Sequence, residues 1–312
     1  MGDYKYPLGK VINLGSSSEG NCYLIEINRK DYPNPFRLMI EVGLDSMNEL
    51  SSRMLAHGMS MTNVDAFLVT HEHLDHARLV GKLVERGKKV YAPKTVFDRL
   101  TPGVDIQNKF IIQEQTYKSI TDGIKVYGFP LDHESDDGSL IYNLGYIITI
   151  DNWFNILFVT DTKNIRFDLS SFQFNVIFIE ANNLHRVIES ALKNAVEQNN
   201  RLKIIHFRRV LKSHMLVEKT AKTLATFDLR KTDKIYLIHL SAYTQVNPYE
   251  YRKVINDSMV KYNQLRDITY RNKNGDIIKT KLPKVLVAKR NGDWTWQNKN
   301  HLKYFGVHIH ER

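Results

Sequence analysis

Hydrophobic positions in this chain follow two rhythms. Short β-branched and aromatic runs bounded by Gly, Asn or Asp predict strands, and longer stretches with apolar residues three and four apart predict helices. Val11-Ile12-Asn13-Leu14 and Cys22-Tyr23-Leu24-Ile25-Glu26-Ile27 predict two strands joined by the small-residue turn Gly15-Ser16-Ser17-Ser18-Glu19-Gly20-Asn21. Phe36 to Glu41 predicts a third strand, ending at Gly43, and Asn48 to His57 a helix with Leu50, Met54 and Leu55 on one face. Val64 to Val69 has the length and branching of a buried strand. Ala77 to Gly87 predicts an amphipathic helix through Leu79, Val80, Leu83 and Val84. Lys89 to Ala92 predicts a strand, and Lys94 to Leu100 a short helix.

Further strands are predicted at Ile124 to Leu131, Leu144 to Ile150, Phe158-Val159, Val176 to Ile179 and Ile235 to Ile238. Helices are predicted at Leu184 to Gln198, Val217 to Phe227 and Asn247 to Asn263. Two hairpins follow, Asp267 to Lys281 around Asn274-Gly275 and Lys284 to Trp296 around Asn291-Gly292, since Asn-Gly favours a two-residue turn.

Composition narrows the class. A chain of 312 residues, 42% hydrophobic, can bury a full core. The single Cys22 excludes an internal disulfide and fits a reducing compartment. The opening Met1-Gly2-Asp3-Tyr4-Lys5-Tyr6 lacks the apolar core of a signal peptide, and Tyr6 replaces the Ser or Thr of a myristoylation signal. No apolar run approaches the roughly 20 residues of a membrane span. The expectation is a soluble cytoplasmic protein with no membrane partner. Charge is uneven within the net +10: residues 201–312 hold 24 Lys/Arg against 9 Asp/Glu, and the first 200 are mildly acidic. A basic C-terminal third suits an anionic polymer, although a solvated lysine-rich surface gives the same count. Trp294, Trp296, Tyr304 and Phe305 lie among its cations, placed either to stack bases or to fill a hairpin core. His308 and His310 read as part of a frayed terminus rather than a metal site.

Chemistry concentrates at Thr70-His71-Glu72-His73-Leu74-Asp75-His76, where three His and one Asp follow a buried strand within six residues. A loop held at a sheet edge is a common place for reacting groups. On an extended backbone His71 and His73 project to one side, and Asp75 and His76 diverge. Imidazole with carboxylate suits zinc, manganese or iron(II) better than calcium. A solvated polar loop is the bland alternative, and this density of ligand types weighs against it. His133, Asp161 and His239 each follow an apolar run; taken alone, such residues are ordinary surface groups or helix caps.

The motif His-x-His-x-Asp-His resembles the signature of the metallo-β-lactamase superfamily. Resemblance extends over roughly residues 10–245. It implies an α/β fold of the αββα four-layer sandwich type over 1–245. Beyond that the resemblance fades, and the pattern of residues 246–312 reads as a basic helix plus β-hairpin extension. The resemblance further implies two divalent metal ions, zinc or manganese. His71, His73 and His133 would hold one, and Asp75, His76 and His239 the other, with Asp161 shared. The Ser/Gly-rich turn before Asn21-Cys22, and Glu180-Ala181-Asn182, resemble one subgroup, the WalJ (YycJ)-like hydrolases. Departures are Glu41 where Asp is usual, Asn183-Leu184 where His-Asp is usual, and Ser213-His214-Met215-Leu216 in place of Gly-His-Leu-Ser. Only His214 carries over from that last motif, as a phosphate-contacting group, a proton donor or a helix-start His without chemistry. Glu180 and Asn182 could orient ligands.

Two close metals lower the pKa of a bridging water and neutralise developing charge, so hydrolysis is the expected reaction, with Asp75 also able to take the water's proton. Candidate substrate contacts are Ser17 and Ser18 in the turn, Asn182, and the basic group Arg208, Arg209 and Lys212. The basic third favours a nucleic acid. The reading is a dinuclear phosphodiesterase or nuclease acting on DNA, with attack from an end as one mode, and RNA second. A cyclic-nucleotide phosphodiesterase is the small-molecule alternative, and a nucleic-acid or protein binding module with little catalysis is the non-enzymatic one. A β-CASP insertion is excluded, because only 77 residues separate Asp161 from His239. A homo-oligomer is left open.

Overall fold

The computed structural model describes residues 7–29, 32–103, 107–134, 138–241, 246–265, 270–271, 277–278, 283–289, 292 and 294–295. Its first half builds a six-stranded sheet from β1 (Leu8–Ser17), β2 (Gly20–Ile27), β3 (Phe36–Ile40), β4 (Ala66–Leu68), β5 (Val90–Ala92) and β6 (Lys109–Ile111), adjacent in that order. β1 to β3 pair antiparallel, and β3 to β6 parallel. The crossovers carry α1 (Met47–Leu55), α2 (Leu74–Ala77), α3 (Val80–Glu85) and α4 (Lys94–Leu100).

The second half begins with β7 (Tyr117–Thr121), β8 (Ile124–Leu131), β9 (Asn143–Ile150), β10 (Phe154–Val159) and β11 (Val176–Glu180). Helices α5 (His185–Glu197), α6 (Arg201–Ser213) and α7 (Val217–Leu224) precede β12 (Lys234–Ile238), and α8 (Pro248–Leu265) follows it. β13 (Tyr270–Arg271) and β14 (Ile277–Ile278) pair with each other, and β15 (Lys284–Ala288) and β16 (Trp294–Thr295) complete the chain's described strands. The larger sheet has the order β16-β15-β12-β11-β10-β9-β8-β7, with β10, β11, β12 and β15 parallel.

Strand alternation sorts the core into three apolar layers. Tyr23, Ile25, Leu38 and Leu68 of the first sheet meet Tyr146, Phe158, Phe178 and Tyr236 of the second. Their neighbours Leu24, Met39 and Phe67 face outward and are covered by Leu50, Met54, Leu83 and Val96 from helices. On the far side Val159, Ile179 and Leu237 lie under Val217, Leu224, Ile255 and Met259. The architecture is the αββα sandwich that the resemblance implied. Because β11 and β12 are buried on both faces, their sequences read as unbroken apolar runs.

Several local expectations change. The expected helix from Ala77 to Gly87 is two short helices, broken at Arg78-Leu79, where Leu79 leaves helical geometry (φ −93°, ψ 0°). Asp75 and His76 therefore sit on a helical turn, not on a loop. The basic stretch after His206 lies within a 13-residue helix, α6. With α5 it forms a helical hairpin around its own small core of Ile188, Ala195, Phe207, Val210 and Leu216. Beyond residue 245, α8 contributes Tyr251, Ile255 and Met259 to the outer core, and β15 joins β12 in the main sheet. β15 and β16 form the expected second hairpin, and Trp294 is 9% exposed, with its ring 4.5 Å from Tyr236. Trp294 is thus a core residue and offers no face to a base. Trp296, Tyr304, Phe305, His308 and His310, and the Asn274-Gly275 turn, lie outside the described residues. No helix among the described residues is long and apolar enough to cross a membrane.

Candidate metal centre

The site gathers where strands end. β3 runs into Glu41, β4 into Thr70 and His71, β8 into His133, β10 into Asp161, β11 into Glu180 and β12 into His239. Glu41, Asp161 and His239 adopt positive φ of 63°, 51° and 54°. Non-glycine residues seldom hold that conformation, and strain of this kind concentrates at functional sites. Each kink comes within two residues of a strand end, turning the chain sharply at the sheet edge.

Asp161 is the hub. Its Oδ2 lies 3.3 Å from His71 Nε2, 3.4 Å from both His76 Nε2 and His133 Nε2, and 3.9 Å from His73 Nδ1. Its Oδ1 lies 3.0 Å from His214 Nδ1. Asp75 Oδ2 stands 3.2 Å from His76 Nε2 and 3.4 Å from His239 Nε2. Three overlapping groups result: His71, His73, His133 and Asp161; Asp75, His76, Asp161 and His239; and Asp161, Glu180, His214 and His239. Within each, one potential ligand atom per residue lies within 4.8 Å of the others.

These residues fit divalent cations. His71 Nε2 and Asp161 Oδ1 are buried and make no well-directed hydrogen bond among the described residues; their near neighbours, Asp161 Oδ2 at 3.3 Å and His214 Nδ1 at 3.0 Å, are themselves potential ligand atoms, an arrangement that a metal satisfies. The first two groups combine imidazole and carboxylate, the donor set of zinc and manganese sites. Burial, reinforced by His76, holds His71 well below the usual imidazole range, and burial lowers His133 to about 4. Both are therefore neutral with a lone pair to give. Burial opposes charge on His239 and His214 as well, but Asp161, with Asp75 and Glu180, outweighs it and lifts them to about 9 and about 10. A metal ion arriving at His239 would displace its proton.

Supporting groups fix the ligands. Thr70 Oγ1 lies 2.9 Å from His71 Nδ1, and Glu41 Oε1 lies 3.5 Å from His76 Nδ1. Glu180 Oε1 lies 2.7 Å from His214 Nδ1 and 3.2 Å from His239 Nδ1, and its Oε2 accepts from the Thr162 backbone N–H at 2.8 Å. Ser16 Oγ accepts from the His239 backbone N–H at 2.9 Å. Removing the Glu180 charge should therefore loosen two histidines at once. Glu180→Gln is expected to lower turnover by about 10- to 100-fold, with an unchanged melting temperature separating this loss from misfolding; near wild-type kinetics would remove Glu180 from the positioning role.

A cavity of about 610 Å³ opens over the cluster and is lined by His73, Asp75, His133, Asp161, His214 and His239, with Ser18, Arg209 and Ser213. Arg99 of α4 lines it too, 3.7 Å from Glu72, and nothing in its sequence surroundings marks it. Among the expected substrate contacts, Ser18 and Arg209 reach the cavity. Lys212 pairs with Glu134 at 2.6 Å on the rim, and Arg208 is exposed on α6 outside the lining. Ser17 is buried in the turn, where its Oγ accepts from the Glu19 N–H, and buried Asn182 donates to the His239 carbonyl. Asn182 thus braces the His239 backbone, and the Ser17 hydroxyl stabilises its own turn.

Residues 37–240 match the family model described as Beta-lactamase superfamily domain. The chain is 26% identical over 259 residues to the exodeoxyribonuclease WalJ of Streptococcus pneumoniae, covering 78% of this chain and 86% of that protein. It is 24% identical over 242 residues to the exodeoxyribonuclease YycJ of Bacillus anthracis, covering 73% and 81%. Among solved structures it resembles the metallo-β-lactamase fold protein YhfI of Bacillus subtilis, with a TM-score of 0.55 and 14% identity over 91% of this chain and 98% of that one.

Proposed function

The chain belongs to the β-lactamase superfamily and is a metal-dependent hydrolase, and from that premise we propose that it is a dinuclear phosphodiesterase that degrades DNA. The observation carrying this reading is Asp161, one carboxylate common to two complete ligand groups on the floor of an open cavity that Arg209 flanks. His71, His73, His133 and Asp161 would hold one ion, and Asp75, His76, His239 and Asp161 the other. Two such ions would supply an activated water and would neutralise phosphate oxygens as charge builds.

The remaining roles fall to the chain's own side chains. Asp75 lines the cavity and accepts the proton of the attacking water. His214 binds Glu180 and Asp161 through Nδ1, which leaves Nε2 for the substrate. Held protonated by those carboxylates, His214 donates to the departing sugar oxygen. Arg209 binds a phosphate beside the scissile one. DNA is favoured by the basic C-terminal third and by the exodeoxyribonuclease names of both relatives. An unpaired, buried Cys22 suits a cytoplasmic setting.

The test is a cleavage time course on end-labelled single-stranded DNA, duplex DNA and RNA with manganese, zinc or chelator, beside His73→Ala. Shortening of DNA that needs metal and disappears in the variant is the expected result. Cleavage of RNA alone would replace the substrate. No cleavage of any polymer, by protein carrying about two metals per chain, would sink the nuclease reading.

A further inference from the structure

We propose that α6 carries a docking track for single-stranded nucleic acid, leading from the start of the helix to the mouth of the cavity. The proposal rests on the nuclease reading and adds the form of the strand, the surface it follows and the length that counts. Five of the 13 residues of Arg201–Ser213 are Lys or Arg, and none is acidic. Phe207, Val210 and Ser213 turn inward and are buried. At 3.6 residues per turn the opposite face carries Arg201, Ile205, Arg208 and Lys212, spaced four, three and four apart, and all four are exposed.

This row ends at the chemistry. Lys212 pairs with Glu134, the neighbour of His133, and Arg209, one position beyond Arg208, lines the cavity. A helix face that is merely solvated can set acidic partners one turn from its cations, as α4 does with Lys94 and Asp98 at 2.7 Å. Among the described residues Arg201 and Arg208 form no ion pair, so their charge is open to phosphates.

The apolar members select the strand. Ile205 is 57% exposed and Leu202, beside the row, 81% exposed. A duplex would lay only phosphates over them, whereas a single strand can turn bases onto them while its phosphates meet the arginines. From Arg201 to Lys212 the helix rises about 16 Å. That spans no more than about five phosphates at B-form spacing, and fewer on a stretched strand.

The experiment uses the full chain and the double variant Arg201→Gln/Arg208→Gln, both sites being exposed and glutamine an adequate helix former. Single variants, with circular dichroism and melting curves, stand beside it to exclude a folding defect. Single-stranded DNA of about 2, 4, 8 and 16 nucleotides, and blunt duplex, are bound under chelation across a salt titration, then cleaved with manganese. Wild-type affinity should climb with length and level off by about eight nucleotides, above that for duplex. The double variant should lose about tenfold affinity on the longest strand and about 1.4 from the log–log salt slope. Its cleavage defect should grow with substrate length. A defect equal at all lengths, an unmoved salt slope, or duplex bound as tightly as single strand would each overturn the track. If wild type cleaves and the slope stays put, the track falls and the nuclease reading survives. If nothing is cleaved but length-dependent binding and its loss persist, the track stands and the nuclease reading falls.

Discussion

Asp161→Ala is expected to abolish hydrolysis, by at least about a thousandfold, equivalent to several kcal/mol of transition-state stabilisation. The effect is large because one side chain serves every group in the cluster. Its Oδ2 stands 3.3 to 3.4 Å from His71, His76 and His133, and its Oδ1 3.0 Å from His214. Truncation leaves these imidazoles converging on a buried space with no carboxylate at its centre. Two cations a few ångströms apart repel strongly unless an anion lies between them. Metal content by mass spectrometry should therefore fall together with activity. Asp161→Asn separates shape from charge: it keeps the volume and loses the anion, and should behave like the alanine variant. Full metal content and turnover in Asp161→Ala would dismiss the shared-ligand reading and with it the dinuclear mechanism.

How far that centre was readable follows from where its information lies in the chain. His71, His73, Asp75 and His76 are four potential ligands in six residues after an apolar run, so a local window suffices. His133, Asp161 and His239 each end an apolar run, and their order becomes meaningful once the first motif suggests a metal site. Individual strands were legible from alternating and unbroken apolar runs, whereas the layered arrangement of the two sheets came from the family resemblance and not from the runs themselves.

What was not legible depends on contacts between distant positions or on backbone conformation. Ser16 meets His239 across 223 positions, and Asn21 reaches the Asp75 carbonyl across 54. No window on the sequence links them, so the small-residue turn could be read equally as a ligand approach or as a plain tight turn; in the structure Ser18 lines the cavity while Ser16 and Asn21 hold the His239 and Asp75 backbone. Positive φ at Glu41, Asp161 and His239 is set by the surroundings rather than by residue type. Arg99 joins the cavity only because α4 ends beside it. In α6, arginines and lysines between Ile204, Phe207, Val210 and Leu211 drew attention to charge and hid a helical apolar period.

Gly43→Ala is the second change with a large expected effect, at a residue that touches no substrate. A Cβ added there would lie 1.7 Å from the Asp75 carbonyl oxygen, 2.0 Å from its carbon and 2.6 Å from the His76 nitrogen. All three are backbone atoms, so no rotamer change relieves the clash. The segment is also clamped: the Val42 N–H donates to the His76 carbonyl at 2.7 Å, the Leu79 N–H to the Val42 carbonyl at 3.1 Å, and the Gly43 N–H to the Asn21 carbonyl at 3.0 Å. Accommodating a methyl group means pushing α2, with Asp75 and His76 on it, away from His239 and Asp161. A displacement of about 1 Å can cost on the order of a hundredfold in rate, and overpacking a rigid contact about 1 to 3 kcal/mol in stability. The variant should therefore melt lower and, where still folded, retain the ion near His71 and His133 better than the ion near Asp75 and His76. Gly58→Ala is the control: its φ of +70° strains any side chain, but an added Cβ meets nothing within 4 Å. That variant should lose about 1 kcal/mol of stability with kinetics close to wild type. Should Gly43→Ala keep both ions and full turnover, the close packing of α2 against the strand end would not be what holds the second group of ligands in place.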